Sequence, residues 1–341
     1  MVLEQPEELW NGKQLPSYED LATANPPGSA WDYFGREDEL GTINFLTPET
    51  RKRAAGLIRS GRTINLDYTL SEFDPFPSGT RPPNQHHLFS NNPWHFDDWL
   101  DSFYLQGTTQ IDALRHIGYP GEGWYGGRTR ESIQTDGPTL GIQRWAETGI
   151  VGRGVLLDVE KYLASVGRPI DQSTVTEITP EDLDATAEAQ GVHFETGDIL
   201  LFRTGWAEYC RSHMNEDARR VFKSGMKVPG LASTRAIVAW IWDHHFSLVA
   251  ADNLGIEAFP YTPDNDVTQR GQAKPEKGVD HNGGLHRPLL PLLGLAMGEM
   301  FALDELARDC ATDGVYEFFF TAKPLNLVGG VGSPANAMAI K

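Results

Sequence analysis

Only two cysteines, Cys210 and Cys310, occur among the 341 residues, so neither a disulfide framework nor a cysteine-rich zinc site can be built. Both are expected to pack as small apolar side chains, and the low count suits a reducing, cytoplasmic compartment. Long apolar runs are missing as well. No stretch approaches the roughly 20 apolar residues that span a bilayer. Met1 to Trp10 (MVLEQPEELW) has neither the basic start nor the apolar run of a secretory signal. Basic charge is also in short supply: 29 Lys and Arg stand against 47 Asp and Glu, a net charge of -18. Such a surface repels phosphate backbones and anionic head groups, which argues against nucleic acid and membrane partners and in favour of a small molecule.

What is present is an ordinary globular composition, 40% hydrophobic and 22% charged, with 35 glycines and 22 prolines spread between apolar runs. That pattern predicts many short elements joined by specific turns. Thr47-Pro48-Glu49 and Thr179-Pro180-Glu181-Asp182 carry a cap, a proline at the first helical position and acids in the first turn. They predict two helices, the first ending near Ser60-Gly61. Thr63 to Leu70 alternates as a half-buried strand. Val151 to Val159, Asp198 to Thr204 and Phe246 to Ala251 read as buried strands. Leu285 to Met300 reads as apolar and mostly helical or helix-flanked, Leu303 to Cys310 as a short helix, and Tyr316 to Ala322 as a strand. Strands and helices alternate with no linker and no internal repeat. The expectation is one α/β domain over residues 1–341 with a mixed sheet, residues 1–30 forming an N-terminal extension or arm.

Polar chemistry is densest at Gln106 to His116 (QGTTQIDALRH), where Asp112 and His116 are four apart and would share a helix face or converge across a turn. Far downstream, His286 and Glu299 flank an apolar run. Carboxylates and imidazoles gathered on a pocket are the ligand types of a zinc or manganese hydrolase, yet an Asp/His pair at this spacing is also a common surface or capping pair. Other candidates have plainer readings. His244-His245 suits a helix C-terminal cap, His281 a loop, and Gly329-Gly330-Val331-Gly332 a tight turn. Asp252 and Glu257 follow a buried strand and either line a pocket or cap a turn. His86 to Trp99 has the composition of a loop, over a pocket or plainly on the surface. Trp94, Trp99, Phe103, Trp124 and Tyr125 are either walls for a ring-bearing substrate or core.

Several stretches together resemble the cyclase family that includes kynurenine formamidase, isatin hydrolase and trans-dienelactone hydrolase. They are DELGTINFLTPE from Asp38, GRGVLLDV from Gly152, GDILLFRTGW from Gly197, ADNLGIEAFP from Ala251, LHRPLLPLLGLAMGE from Leu285, and DGVYEFFFTAKPLNLVGGVGSP from Asp313. The resemblance implies a swivelling β/β/α fold, a homodimer or homotetramer, and metal-dependent hydrolysis of an amide or lactone. The family signature His-x-x-x-His-x-Asp-x-x-x-His falls on Gln106, Gln110, Asp112 and His116. It implies Asp112 as metal ligand and His116 as general acid/base, with His286 and Glu299 as distal ligands. Both metal histidines of the signature are glutamine here. Three outcomes stay open. One metal (zinc or manganese, with magnesium as a further candidate) sits on Asp112, His286 and Glu299 while Gln106 and Gln110 bond substrate; or a harder ion takes Gln110 as a ligand; or no metal binds. The function expected is hydrolysis of a cyclic or aryl amide, imide or lactone. The alternatives are a cyclase or lyase of secondary metabolism working by Asp/His proton transfer, and a metal-free binding protein.

Overall fold

The computed structural model describes residues 9–10, 13–73, 76–77, 81–134, 137–213 and 225–341. Apolar runs such as ILLF at the start of Ile199–Arg203, and LVAA over Leu248–Ala251, can be buried on both faces only inside a sheet that helices cover. They lie at the centre of a nine-stranded mixed sheet. From edge to edge its strands are Gly332–Pro334, Gln110–Asp112, Ala296–Glu299, Leu248–Ala251, Ile199–Arg203, Ile150–Asp158, Glu317–Ala322, Ala337–Ile340 and Thr63–Asn65. The four strands from Ala296–Glu299 to Ile150–Asp158 run parallel to one another, and the outer pairings are antiparallel. Flanking helices complete a mixed α/β architecture, the fold class expected.

Local chemistry sets the element boundaries. The Thr179 hydroxyl accepts from the Asp182 amide while Asp182 accepts from the Thr179 amide, a reciprocal cap that starts helix Pro180–Gln190. Helix Arg235–Asp243 starts on the Thr234 side chain and ends at His244, whose Nδ1 lies 2.7 Å from the Trp240 carbonyl. Ile150–Asp158 contains Gly154 for a packing reason. Its cross-strand partner is Phe318, and a Cβ at position 154 would collide with the Phe318 ring. Within residues 1–30, the Pro16 carbonyl accepts from Trp242 Nε1 at 2.8 Å, and Leu21 and Ala30 join the main core.

Three local expectations are corrected. Helix Pro48–Ala55 stops at Gly56, one glycine earlier than Gly61. Leu285 to Met300 is only partly helical: a π-type turn, Pro288–Leu293, closes on Gly294 in the left-handed region, and Ala296–Glu299 is a sheet strand. That strand is buried at all four positions, so it shows no alternation to separate it from a buried helix. The segment His86 to Trp99 is not a loop but two antiparallel strands, Gln85–Asn92 and His95–Asp101. No described helix is long and apolar enough to cross a membrane.

Candidate functional site

The edge of the sheet assembles the site. Gln110–Asp112 pairs antiparallel with Ala296–Glu299, which sets Gln110 opposite Glu299 and carries Asp112 to the end of its strand. The chain then turns, and His116 comes back so that its Nε2 lies 3.7 Å from Asp112 Oδ2. Asp112 and His116 therefore meet across a strand end, not along a helix face. His286 enters from the far side. Its Nε2 is 3.0 Å from Glu299 Oε1 and 3.7 Å from Asp112 Oδ2, and its Nδ1 is 2.7 Å from Glu257 Oε1. Glu257 lies beyond strand Leu248–Ala251, and Tyr261 donates its hydroxyl to the same Oε1 at 3.2 Å. This crowding depends on Gly284, where a Cβ would lie 2.5 Å from the Tyr261 ring and 2.9 Å from Glu257 Oε1.

Asp112, Glu257, Glu299 and His286 are each at most 5% exposed. Three buried carboxylates thus surround one buried imidazole. Burial works against the His286 imidazolium, but the Glu257 charge, the hydrogen bonds to Glu257 and Glu299 and the nearby Asp112 carboxylate outweigh it and hold its pKa well above the usual range. Burial likewise pushes the Asp112 carboxyl up, yet the neighbouring His116 and His286 charges and the hydrogen bond from Gln106 bring it down to about 2. His116 is lowered by burial, so it stays a neutral base near pH 7. His281 packs 5.2 Å from His286, ring centre to ring centre, and burial followed by the His286 charge takes it down to about 3.

The donors fit a divalent cation. Ligand atoms of Asp112, His286 and Glu299 all lie within 4.8 Å of one another, as do those of Glu257, His281 and His286. Asp112 Oδ2 and Glu257 Oε2 are buried without a hydrogen-bond partner, and a buried anionic oxygen in that state is costly unless a cation meets it. Two carboxylates and an imidazole suit zinc or manganese, and three protein ligands leave coordination positions open. Glu257 holding Nδ1 would fix the ring with Nε2 toward Asp112 and Glu299.

Gln106 and Gln110 sit behind this cluster. Gln106 Nε2 donates to Asp112 Oδ1 and lies 3.4 Å from the His116 ring nitrogens, and Gln110 Nε2 donates to Glu299 Oε2. Gln110 Oε1 faces Arg81, 3.3 Å from Nη1, instead of the cluster. The cavity in front has a volume of about 270 Å³. Asp112, His116, His286 and Glu299 share its wall with Arg81, His281, Phe76, Leu254, Phe259 and Val279.

The aromatic residues proposed as substrate walls lie elsewhere. Trp94 and Trp99 project into solvent from the Gln85–Asp101 hairpin. Phe103 lines a separate cleft that shares Phe76 and Arg81 with the cavity. Trp124 donates to the Arg115 carbonyl, and buried Tyr125 donates to Asp38 Oδ2 at 3.0 Å, both as packing residues. Asp252 caps a turn, accepting from the Thr204 amide and hydroxyl and the Gly205 amide, whereas Glu257 lines the cavity. His281, expected in a plain loop, is a wall residue of the cavity. Gly283-Gly284 was the available sign that the loop bends inward. Arg81, within a proline-rich segment, offers no sequence pattern at all. Cys210 and Cys310 are free and buried, and burial pushes both thiols up, Cys310 to about 12.

Comparison with known proteins follows the same lines. A family model described as "Putative cyclase" matches residues 64–258, a span that holds Gln106 to His116 and Glu257. A solved structure described as a novel cyclase is 33% identical, with a TM-score of 0.76 over 92% of this chain and 99% of its own. Isatin hydrolase A from Labrenzia aggregata, solved with benzyl benzoate, is 20% identical over 84% of this chain and 94% of its own, with a TM-score of 0.54. Isatin hydrolase A from Ralstonia solanacearum is 19% identical over 86% and 98%, with a TM-score of 0.53. These two share the fold. No curated protein sequence matches the chain. Given the matched span and the 33% identical structure, the chain belongs to the cyclase family.

Proposed function

We propose that this protein is a hydrolase of cyclic or aryl amides, imides or lactones that works with one divalent cation held by Asp112, His286 and Glu299. The observation that carries this reading is the excess of buried carboxylates around His286, with Asp112 Oδ2 unpaired at the wall of an open cavity. A divalent cation, when bound there, acidifies water and polarises a carbonyl. The protein's own groups do the rest. His116, neutral through burial, accepts a proton at Nε2, where the Asp112 carboxylate 3.7 Å away stabilises the imidazolium. The same nitrogen returns the proton to the departing nitrogen or oxygen. Gln106 and Gln110 hold the carboxylates of Asp112 and Glu299 in place, a different task from bonding substrate. Phe76, Leu254 and Phe259 offer an apolar wall suited to a ring. Fold relatives named isatin hydrolases support the choice of hydrolysis.

A second reading is proton transfer without hydrolysis. It is favoured by Gln106, which bonds Asp112 and also approaches His116, joining them into a unit that needs no cation.

Elemental analysis of the purified protein, combined with a panel of lactones, formamides and imides read by acid release, separates the two. About one equivalent of zinc, manganese or magnesium is expected. His116→Ala should lower turnover by about 10²- to 10⁴-fold with the cation content unchanged. Activity that survives complete chelation, or full activity in His116→Ala, sinks the hydrolase reading.

A further inference from the structure

A second cavity, of about 200 Å³, shares no lining residue with the catalytic one. Its walls are tied together by the fold. The Tyr18 amide donates to Asp243 Oδ1 at 2.6 Å, at the end of helix Arg235–Asp243, and the Ala30 amide donates to the Leu292 carbonyl at 2.9 Å. At the start of that helix the Arg235 amide donates to Asp266 Oδ1 at 2.9 Å, and its Nε donates to the Asp266 carbonyl at 3.1 Å. Three donor groups on the wall are left over. Among the described residues, the hydroxyls of Tyr18 and Tyr119 and the Nη atoms of Arg235 bond to no protein group. Burial raises both phenols, so they stay protonated donors near pH 7. The field around them is positive, although the whole chain carries -18. At Tyr18 the Arg235 charge outweighs that of Asp266, and at Tyr119 the charges of Arg235 and Arg287 outweigh that of Glu122. Pro27, Val267, Pro288 and Leu292 make much of the remaining wall apolar.

We propose that this cavity is a second binding site, for a small organic carboxylate with a ring or other apolar body, and that its occupancy is felt at His281 in the catalytic cavity. A guanidinium flanked by two phenol hydroxyls supplies charge-assisted and neutral hydrogen bonds to one carboxylate. The prolines and Leu292 suit an apolar body and give nothing to the outer oxygens of an inorganic anion. Coupling follows from what the wall is made of. Val267 and Thr268 line the second cavity, and the next residue, Gln269, is clamped to Asn282: the Gln269 amide donates to Asn282 Oδ1 at 2.9 Å, and Asn282 Nδ2 donates to the Gln269 carbonyl at 3.0 Å. Asn265 Nδ2 holds the Gly283 carbonyl at 2.8 Å in the same way. His281, on the catalytic wall, is the neighbour of Asn282. Two further wall residues continue from catalytic ones, Tyr119 three positions after His116 and Pro288 two after His286. A ligand that orders Val267 and Thr268 therefore orders the segment that presents His281, and the two sites share a coupling free energy.

Calorimetric titration of the full chain with benzoate, benzamide and inorganic phosphate tests this. Benzoate should bind with a dissociation constant of about 1 mM or tighter. Benzamide keeps the ring without the charge and phosphate the charge without the ring, so each should bind at least about 10-fold more weakly. Arg235→Met should weaken benzoate by about 10- to 100-fold and Tyr119→Phe by about 3- to 10-fold, while His116→Ala leaves its affinity unchanged. Amide exchange reads the coupling. Benzoate should slow exchange over residues 278–284 in the wild type and fail to do so in Arg235→Met. A wild type that does not bind benzoate, benzamide or phosphate bound as tightly as benzoate, or a benzoate affinity that Arg235→Met and Tyr119→Phe leave unchanged overturns the site. So does an affinity lost in His116→Ala and kept in Arg235→Met, which would put benzoate in the catalytic cavity. Exchange slowed only at the lining of the second cavity overturns its coupling to His281.

Discussion

His286 has two ring nitrogens, and a carboxylate faces each of them. That arrangement assigns different tasks to acids that look alike in the sequence. Glu299 faces Nε2 together with Asp112, while Glu257 holds Nδ1 and takes a further hydrogen bond from Tyr261. Glu257→Gln keeps the size of the side chain and removes its charge. The amide oxygen can still accept from Nδ1, but the weaker acceptor lowers the basicity of the ring and loosens its orientation. The variant should lose about 10- to 100-fold in cation affinity, read by competition against a chelator of known strength, with the fold intact. Unchanged affinity would show that Glu257 does not tune the ligand. Asp112 and His116 were legible in the sequence because the family signature marks their positions, His286 and Glu299 because the resemblance extends over the stretch from Leu285, and all four meet in one cluster. Glu257 was ambiguous because an acid just past a buried strand reads the same whether it caps a turn, as Asp252 does, or enters a cavity. Arg81 was invisible, since its place depends on how a proline-rich loop folds back over the Gln110 strand.

At the scale of elements, the buried strands and the capped helices were the readable part. Their signals are local: a run of apolar residues bounded by glycine or charge, or a Thr-Pro-acid start. The Gln85–Asp101 hairpin and the Ala296–Glu299 strand were misread for opposite reasons. The hairpin alternates over two exposed faces, so no polar side marks it as a strand, while the Glu299 strand is buried throughout and has no alternation to show. Gly154 illustrates how tightly neighbouring strands constrain each other. It lies opposite Phe318 in the sheet, and its missing side chain is the space that the ring fills. Gly154→Ala should destabilise the protein by about 1–3 kcal/mol through overpacking. Phe318→Leu should recover part of that loss in the double variant, because the two changes share one contact. Denaturant titration of the wild type, both single variants and the double variant measures the coupling. Strictly additive losses would mean that the collision is relieved elsewhere.

For the whole molecule, the acidic excess raises the question of where the negative charge is tolerated. Part of the answer is Arg203, at the end of a central parallel strand. Its guanidinium, 12% exposed, lies 2.8 Å from Asp304, 3.1 Å from Asp158, 2.9 Å from Glu160 and 3.2 Å from Glu208. It thereby ties the ends of two strands to three helices. Burial works against its charge, but Asp252, Asp158 and Asp304 more than compensate and raise its pKa. Arg203→Met keeps much of the volume and leaves those carboxylates buried without a cation, so at pH 7.5 it should cost about 3–5 kcal/mol. The dependence on pH has a definite sign. Burial already raises Asp252 to about 6 and lifts Asp158 against the pull of Arg203; without the arginine both should rise further. A carboxyl whose pKa is higher folded than unfolded makes the folded state bind more protons, so stability increases as pH falls from above the folded pKa toward about 4. Denaturant midpoints taken from pH 7.5 down to 5 should therefore show the gap between Arg203→Met and the wild type narrowing. A gap that stays constant or widens would mean that the lost stability comes from packing of the arginine stem, with the carboxylates finding other partners.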